Sequence, residues 1–123
     1  MLLTLATAFA SGLGAVARYV LDQVVQHRTR SEFPYGTMLI NVTGSLLLGL
    51  VLGLSAHHGL TRGPTMLLGT GFAGGYTTLS TWAWETLVLA RTGELLRASL
   101  NIFGSIALGL AAAATGFGLA LIG

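Results

Sequence analysis

Gly69-Thr70-Gly71-Phe72-Ala73-Gly74-Gly75-Tyr76-Thr77-Thr78-Leu79-Ser80-Thr81 lies inside an apolar run from Thr65 to Leu89, and the path of its backbone decides the fold. Four glycines followed by a row of hydroxyl side chains give poor helix propensity. The run around them is nevertheless long enough to cross a bilayer core as helix, for which roughly 20 apolar residues suffice. Gly69 to Gly74 matches G-x-G-x-x-G, but no strand precedes it and no βαβ unit can form, so a dinucleotide site is rejected. Two readings stay open on these residues alone. One is a kink that serves packing. The other is a helix broken at membrane depth, its unwound backbone inside protein or beside a cavity, with freed carbonyls able to hold a cation.

Working outward, three more apolar runs appear, and the spacing predicts transmembrane helices over about 2–21, 33–54, 65–89 and 98–122, in a single domain of residues 1–123. The runs are continuous rather than alternating, which selects helices over a membrane barrel. Ala8-Phe9-Ala10 resembles a cleavage site, but no basic residue precedes the first run and the run continues past it, so it reads as a span. Composition agrees. Of 123 residues 53% are hydrophobic and 8% charged, whereas a soluble domain carries about 25% charged residues. A soluble enzyme is excluded. The net charge of +2 comes from arginine alone, and the six arginines are scattered, so a nucleic-acid surface is not expected. Without cysteine there is no disulfide framework or thiolate site.

The predicted connections, 22–32, 56–63 and 90–97, are too short for an extramembrane domain. Arg28, Arg30, Arg91 and Arg97 fall in the first and third of them, against Arg62 with His57 and His58 in the second. The positive-inside rule places the first and third connections in the cytoplasm and both termini outside.

On the second helix Thr37, Asn41, Ser45, Gly49 and Gly53 recur every four residues and form one stripe. Its glycine half suits helix packing. Asn41 suits a function, since a deep amide in a charge-poor helix is costly unless used. On the fourth helix Asn101 and Ser105 share a face, with Ala112, Ala113, Ala114 and Gly116 as a packing surface beyond them. By spacing alone Arg18, beside Tyr19, reads as a snorkelling boundary residue. Glu85, beside Trp82 and Trp84, could be a solvated boundary charge, and His57 and His58 read as solvated loop residues. No carboxylate or histidine relay lies within a span, as a proton-coupled carrier would need, and no nucleophile–base pair is present for catalysis. Passive conduction fits better than transport or enzymatic chemistry.

Three segments resemble a known family, the small bacterial Fluc (CrcB) fluoride channels: Gly12-Leu-Gly-Ala-Val-Ala-Arg18-Tyr19, Gly36-Thr-Met-Leu-Ile-Asn41-Val-Thr-Gly44-Ser45, and Gly71-Phe-Ala-Gly-Gly75-Tyr-Thr-Thr-Leu-Ser-Thr81. The resemblance covers essentially the whole chain. It implies an all-α membrane protein of four transmembrane helices, the third broken mid-membrane, assembled as an antiparallel dual-topology dimer with two pores. It implies passive export of cytoplasmic fluoride across the bacterial inner membrane. A structural sodium ion would sit on backbone carbonyls, here those of Gly75 and Thr78. Asn41, Thr77, Ser80 and Ser105 would be neutral donors along the fluoride path, and Arg18 matches the family's arginine in the first helix. The family carries two phenylalanines where this chain has Tyr76 and Leu79. Tyrosine keeps a ring with a positive edge, but leucine cannot supply that contact. This departure and the arginine asymmetry point to one member of a heterodimeric pair, or to a non-conducting structural partner subunit. A small dual-topology multidrug transporter is the rival class, but it would need a glutamate in the first helix, where Arg18 stands.

Overall fold

The computed structural model describes all residues, Met1–Gly123, and every regular element is helical. Helix α1 spans Leu2–Thr29, α2 Tyr35–His57, α3 Arg62–Thr65, a π-helix Met66–Ala73, α4 Gly74–Tyr76, α5 Ser80–Arg91 and α6 Leu95–Ile122. Three helices are long and apolar enough to cross a membrane: α1, α2 and α6. The segment between Arg62 and Arg91 does not qualify as one such helix, because its regular structure is divided among shorter elements.

Helix α1 runs eight residues beyond the apolar boundary expected at Leu21, because the polar stretch Asp22–Thr29 continues the helix to a left-handed cap at Arg30 (φ 47°), whose N–H bonds the Gln26 carbonyl. At 28 residues, α1 is about 42 Å long and exceeds a core of about 30 Å. The first connection therefore shrinks to Arg30–Pro34 and is tied back by the Gly36 N–H donating to Gln26 Oε1 at 3.1 Å. The third connection shrinks in the same way to Thr92–Glu94. Arg97 bridges Glu32 at 3.2 Å, which fixes these two connections at one end of the bundle. At the other end the His58 ring contacts the Ala120 carbonyl.

Small residues set the helix seams. The most extensive contact joins α2 and α6. There a Cβ on Gly49 would run into the Ala113 carbonyl, and one on Gly116 into the Leu46 carbonyl. Gly49 and Gly53 are thus the packing half of the α2 stripe, and Ala113, Gly116 and Ala120 are its counterpart. Across the molecule α1 presses on the π-helix and α4. A Cβ on Gly14 would meet the Phe72 carbonyl, and one on Gly75 the Ser11 carbonyl. Gly75, and less tightly Gly71, of the segment quoted first thus let backbones approach where a side chain would force them apart.

Candidate functional site

After Tyr76 the helix stops. Thr77 is extended (φ −79°, ψ 159°) and helix resumes at Ser80. Asn41 holds this interruption at two points: its Nδ2 donates to the Thr78 carbonyl and its Oδ1 accepts the Thr78 N–H, each at 2.9 Å. Thr78 Oγ1 accepts the Thr81 N–H at 3.2 Å, capping the start of α5. Thr77 folds its hydroxyl back to the Ala73 carbonyl at 2.9 Å. With the amides diverted in this way, the carbonyl of Thr77 receives no backbone N–H, whereas that of Thr78 is shared with Asn41. Freed carbonyls are hard, neutral oxygen donors of the kind that suits a cation. Of the two carbonyls expected to hold sodium, the one at Thr78 accepts a hydrogen bond from Asn41.

A cavity of about 350 Å³ opens beside the interruption, lined by Asn41, Ser45, Thr77, Leu79, Trp82 and Ser105 among others. It brings together Asn41, Thr77, Leu79 and Ser105 of the expected path. Arg18 and Ser80 face a separate open groove on the far side of the interruption, to which Thr77, Thr78 and Leu79 also contribute. Tyr76 lines neither. Its hydroxyl pairs with Thr43 at 2.9 Å and its ring stacks on Phe72, 5.8 Å between centroids, so it is part of the helix packing. Leu79 is 74% exposed.

Charged residues gather at the end where the first connection lies. Arg18, Asp22, Thr37 and Thr81 surround a smaller cavity of about 210 Å³. Beside it Glu85 Oε1 accepts the buried Thr37 hydroxyl at 2.9 Å. Arg18 Nε, Asp22 Oδ1 and Glu85 Oε2 are buried and make no hydrogen bond within the chain. Arg18 and Glu85 are thus part-buried rather than the freely solvated boundary charges that spacing alone suggested. Sequence reading missed Asp22 altogether, although it stands four residues from Arg18 on the same helix face. It also passed over Trp82 as a wall of the larger cavity. Trp82 follows Thr78 by four residues, but the helical interruption between them hid that relation. No cluster of metal-binding side chains is present.

Three helices long and apolar enough to cross a membrane, with a helical interruption at Thr77–Leu79 beside a carboxylate-free cavity, define a multi-pass membrane protein. Comparison with known proteins gives the family. Residues 5–117 match the profile of the CrcB-like protein, Camphor Resistance (CrcB) family, and the chain belongs to that family. The chain is 50% identical over 118 residues to the fluoride-specific ion channel FluC 1 of Leifsonia xyli subsp. xyli, covering 96% of this chain and 86% of that protein. It is 44% identical over 111 residues to FluC 2 of Mycobacterium bovis, covering 90% and 85%. It is 46% identical over 110 residues to FluC 1 of Rubrobacter xylanophilus, covering 89% and 86%. It is a multi-pass bacterial membrane protein.

Proposed function

We propose that this chain is a subunit of a passive fluoride-selective ion channel of the bacterial inner membrane, which lets cytoplasmic fluoride leak out and so protects the cell. Relatives that bear the name fluoride-specific ion channel, at 44–50% identity over nearly the whole chain, support this. So does the site. Fluoride is small and strongly hydrated, and a narrow path must replace its water with hydrogen-bond donors. The cavity is free of carboxylates, and the Ser105 hydroxyl and the second Nδ2 proton of Asn41 remain there as uncharged donors, by which an anion can be held weakly enough to leave again. This carboxylate-free cavity, mostly apolar with a few uncharged polar groups beside the interrupted helix, is the observation that carries the proposal.

In this reading the segment Arg62–Arg91 is the third of four membrane spans, interrupted near mid-membrane at Thr77–Leu79. A sodium ion at the interruption, on the carbonyls of Gly75 and Thr78, would supply a fixed positive charge that lowers the barrier to an anion. A second subunit in antiparallel orientation would close the cavity, which opens to the surface between the exposed Leu79 and Ile106. That subunit is either another copy or a paralogous chain. The test is fluoride release from liposomes carrying the purified chain, read with a fluoride electrode and no imposed proton gradient. Passive, saturating release is expected. Release only under a proton gradient would replace the channel with a carrier, and silence of the chain both alone and with a paralogous chain would refute the proposal.

A further inference from the structure

Several serine and threonine hydroxyls in the helices of this chain, Ser45 of the same cavity among them, bond to the carbonyl one turn back: Thr43 to Leu39 at 2.8 Å, Ser45 to Asn41 at 2.7 Å, Thr86 to Trp82 at 2.8 Å and Thr115 to Ala111 at 2.7 Å. Such a hydroxyl has spent its only proton on the backbone. Ser105 makes no such bond. The carbonyl one turn back belongs to Asn101, and the Trp82 indole N–H already donates to it at 3.1 Å. Ser105 instead donates to the Asn101 side chain, Oδ1, at 3.4 Å. That distance lies beyond the usual range for an O–H···O bond.

The orientation of the Asn101 amide follows from the same network. The Thr86 hydroxyl gives its proton to the Trp82 carbonyl, so its oxygen can only accept from Asn101. Nδ2 therefore faces Thr86, at 2.8 Å, and Oδ1 faces Ser105. Asn101 is fully buried, and the circuit Trp82–Asn101–Thr86 holds α5 to α6 beside the cavity that Ser105 and Trp82 both line.

We propose that Trp82 and Asn101 are positioning residues that keep the Ser105 hydroxyl proton off the backbone and available to an anion in the cavity. The indole occupies the strong acceptor that Ser105 would otherwise use, and the Asn101 amide offers only a long, weak one. An arriving fluoride accepts a charge-assisted hydrogen bond, roughly twice as strong as a neutral one, and takes the proton's allegiance. The inference rests on the channel reading and names two residues through which its donor is set.

The test is a double-mutant cycle on fluoride release from liposomes. Trp82→Phe keeps a ring on the cavity wall but removes the N–H, so Ser105 falls back onto the Asn101 carbonyl. Release should slow by on the order of fivefold, the worth of one neutral hydrogen bond, and the slowing should vanish in the Ser105→Ala background. Thr86→Val, which releases the Asn101 amide to turn over, should likewise act only when Ser105 is present, while Thr86→Ser should conduct as the parent does. Unfolding midpoints in detergent serve as the second measurement, because a purely structural role would lower them in both backgrounds alike. Equal slowing with and without Ser105, or none in either Trp82→Phe or Thr86→Val, would overturn the inference while leaving the channel intact. A parent chain that passes no fluoride, alone or with a paralogous chain, would overturn both.

Discussion

Replacing Asn41 by alanine removes both hydrogen bonds that hold Thr78, each 2.9 Å long. Interhelical hydrogen bonds in membranes contribute about 0.6 kcal/mol on average and up to about 1.7 kcal/mol, so the pair is worth about 1–3 kcal/mol. The lower part of that range applies if water from the neighbouring cavity satisfies the abandoned N–H and C=O. The upper part applies if they stay dry, since an orphaned backbone group costs about 1–3 kcal/mol by itself. If the barrier to permeation rises by the same amount, fluoride release falls by roughly fivefold to a hundredfold. Ser55→Ala is the control, because Ser55 lies in the last turn of α2, away from the interruption. Both variants would be followed by reversible unfolding in mixed detergent micelles and by electrode-read fluoride release. The reasoning predicts a lowered midpoint and slowed release for Asn41→Ala and neither for Ser55→Ala. If the two behave alike in both assays, Asn41 neither clamps the interruption nor belongs to the path.

Gly49→Ala and Gly116→Ala drive a methyl into opposing backbone at the α2–α6 seam. Each should cost about 1–3 kcal/mol in unfolding free energy, whereas Gly118→Ala, which meets nothing, should gain up to about 1 kcal/mol from helix propensity. Exchange of all sodium for a bulky organic cation during purification and reconstitution should abolish fluoride release if the carbonyls near Gly75 and Thr78 hold that ion, and undiminished release would remove it. Leu79→Phe restores an aromatic edge at an exposed position where the added ring meets little resistance. It should raise fluoride release from liposomes of the single chain, and an unchanged rate would take position 79 out of the path.

Features carried by one stretch of chain were legible in the sequence. The stripe on α2 divides as its residue types suggest. Thr37 reaches Glu85, Asn41 reaches Thr78 and Ser45 lines the cavity, while Gly49 and Gly53 lie against α6. The glycines of the quoted segment stay helical despite their poor propensity, as π-helix and then α4, and the chain becomes extended only after them, at Thr77. Boundaries were less legible, because hydropathy marks where a helix leaves lipid and not where it ends. Asp22–Thr29 is polar and helical at once. The setting of Tyr76 was not legible, because its stacking on Phe72 and its hydrogen bond with Thr43 join separate turns and elements.

Relations between distant elements were not legible, and the charged residues show why. Arg18 and Glu85 each stand near the end of an apolar run, where snorkelling to water costs little. Only the fold shows that α1 and α5 turn them toward the same region, with Thr37 donating to Glu85 and Asp22 joining Arg18 around one small cavity. A guanidinium and carboxylates with buried, unbonded atoms are expensive in a dry interior. The neutral cavity beside Asn41 and Ser105 carries no such expense. The two regions therefore differ in kind. The charged one is tenable where water reaches it, at the end held by the Arg97–Glu32 bridge, and the neutral one is suited to the stretch where an ion must shed its water. Hydroxyls and amides can replace that water without binding an anion too tightly, because each donates a single modest hydrogen bond whose loss on departure is small.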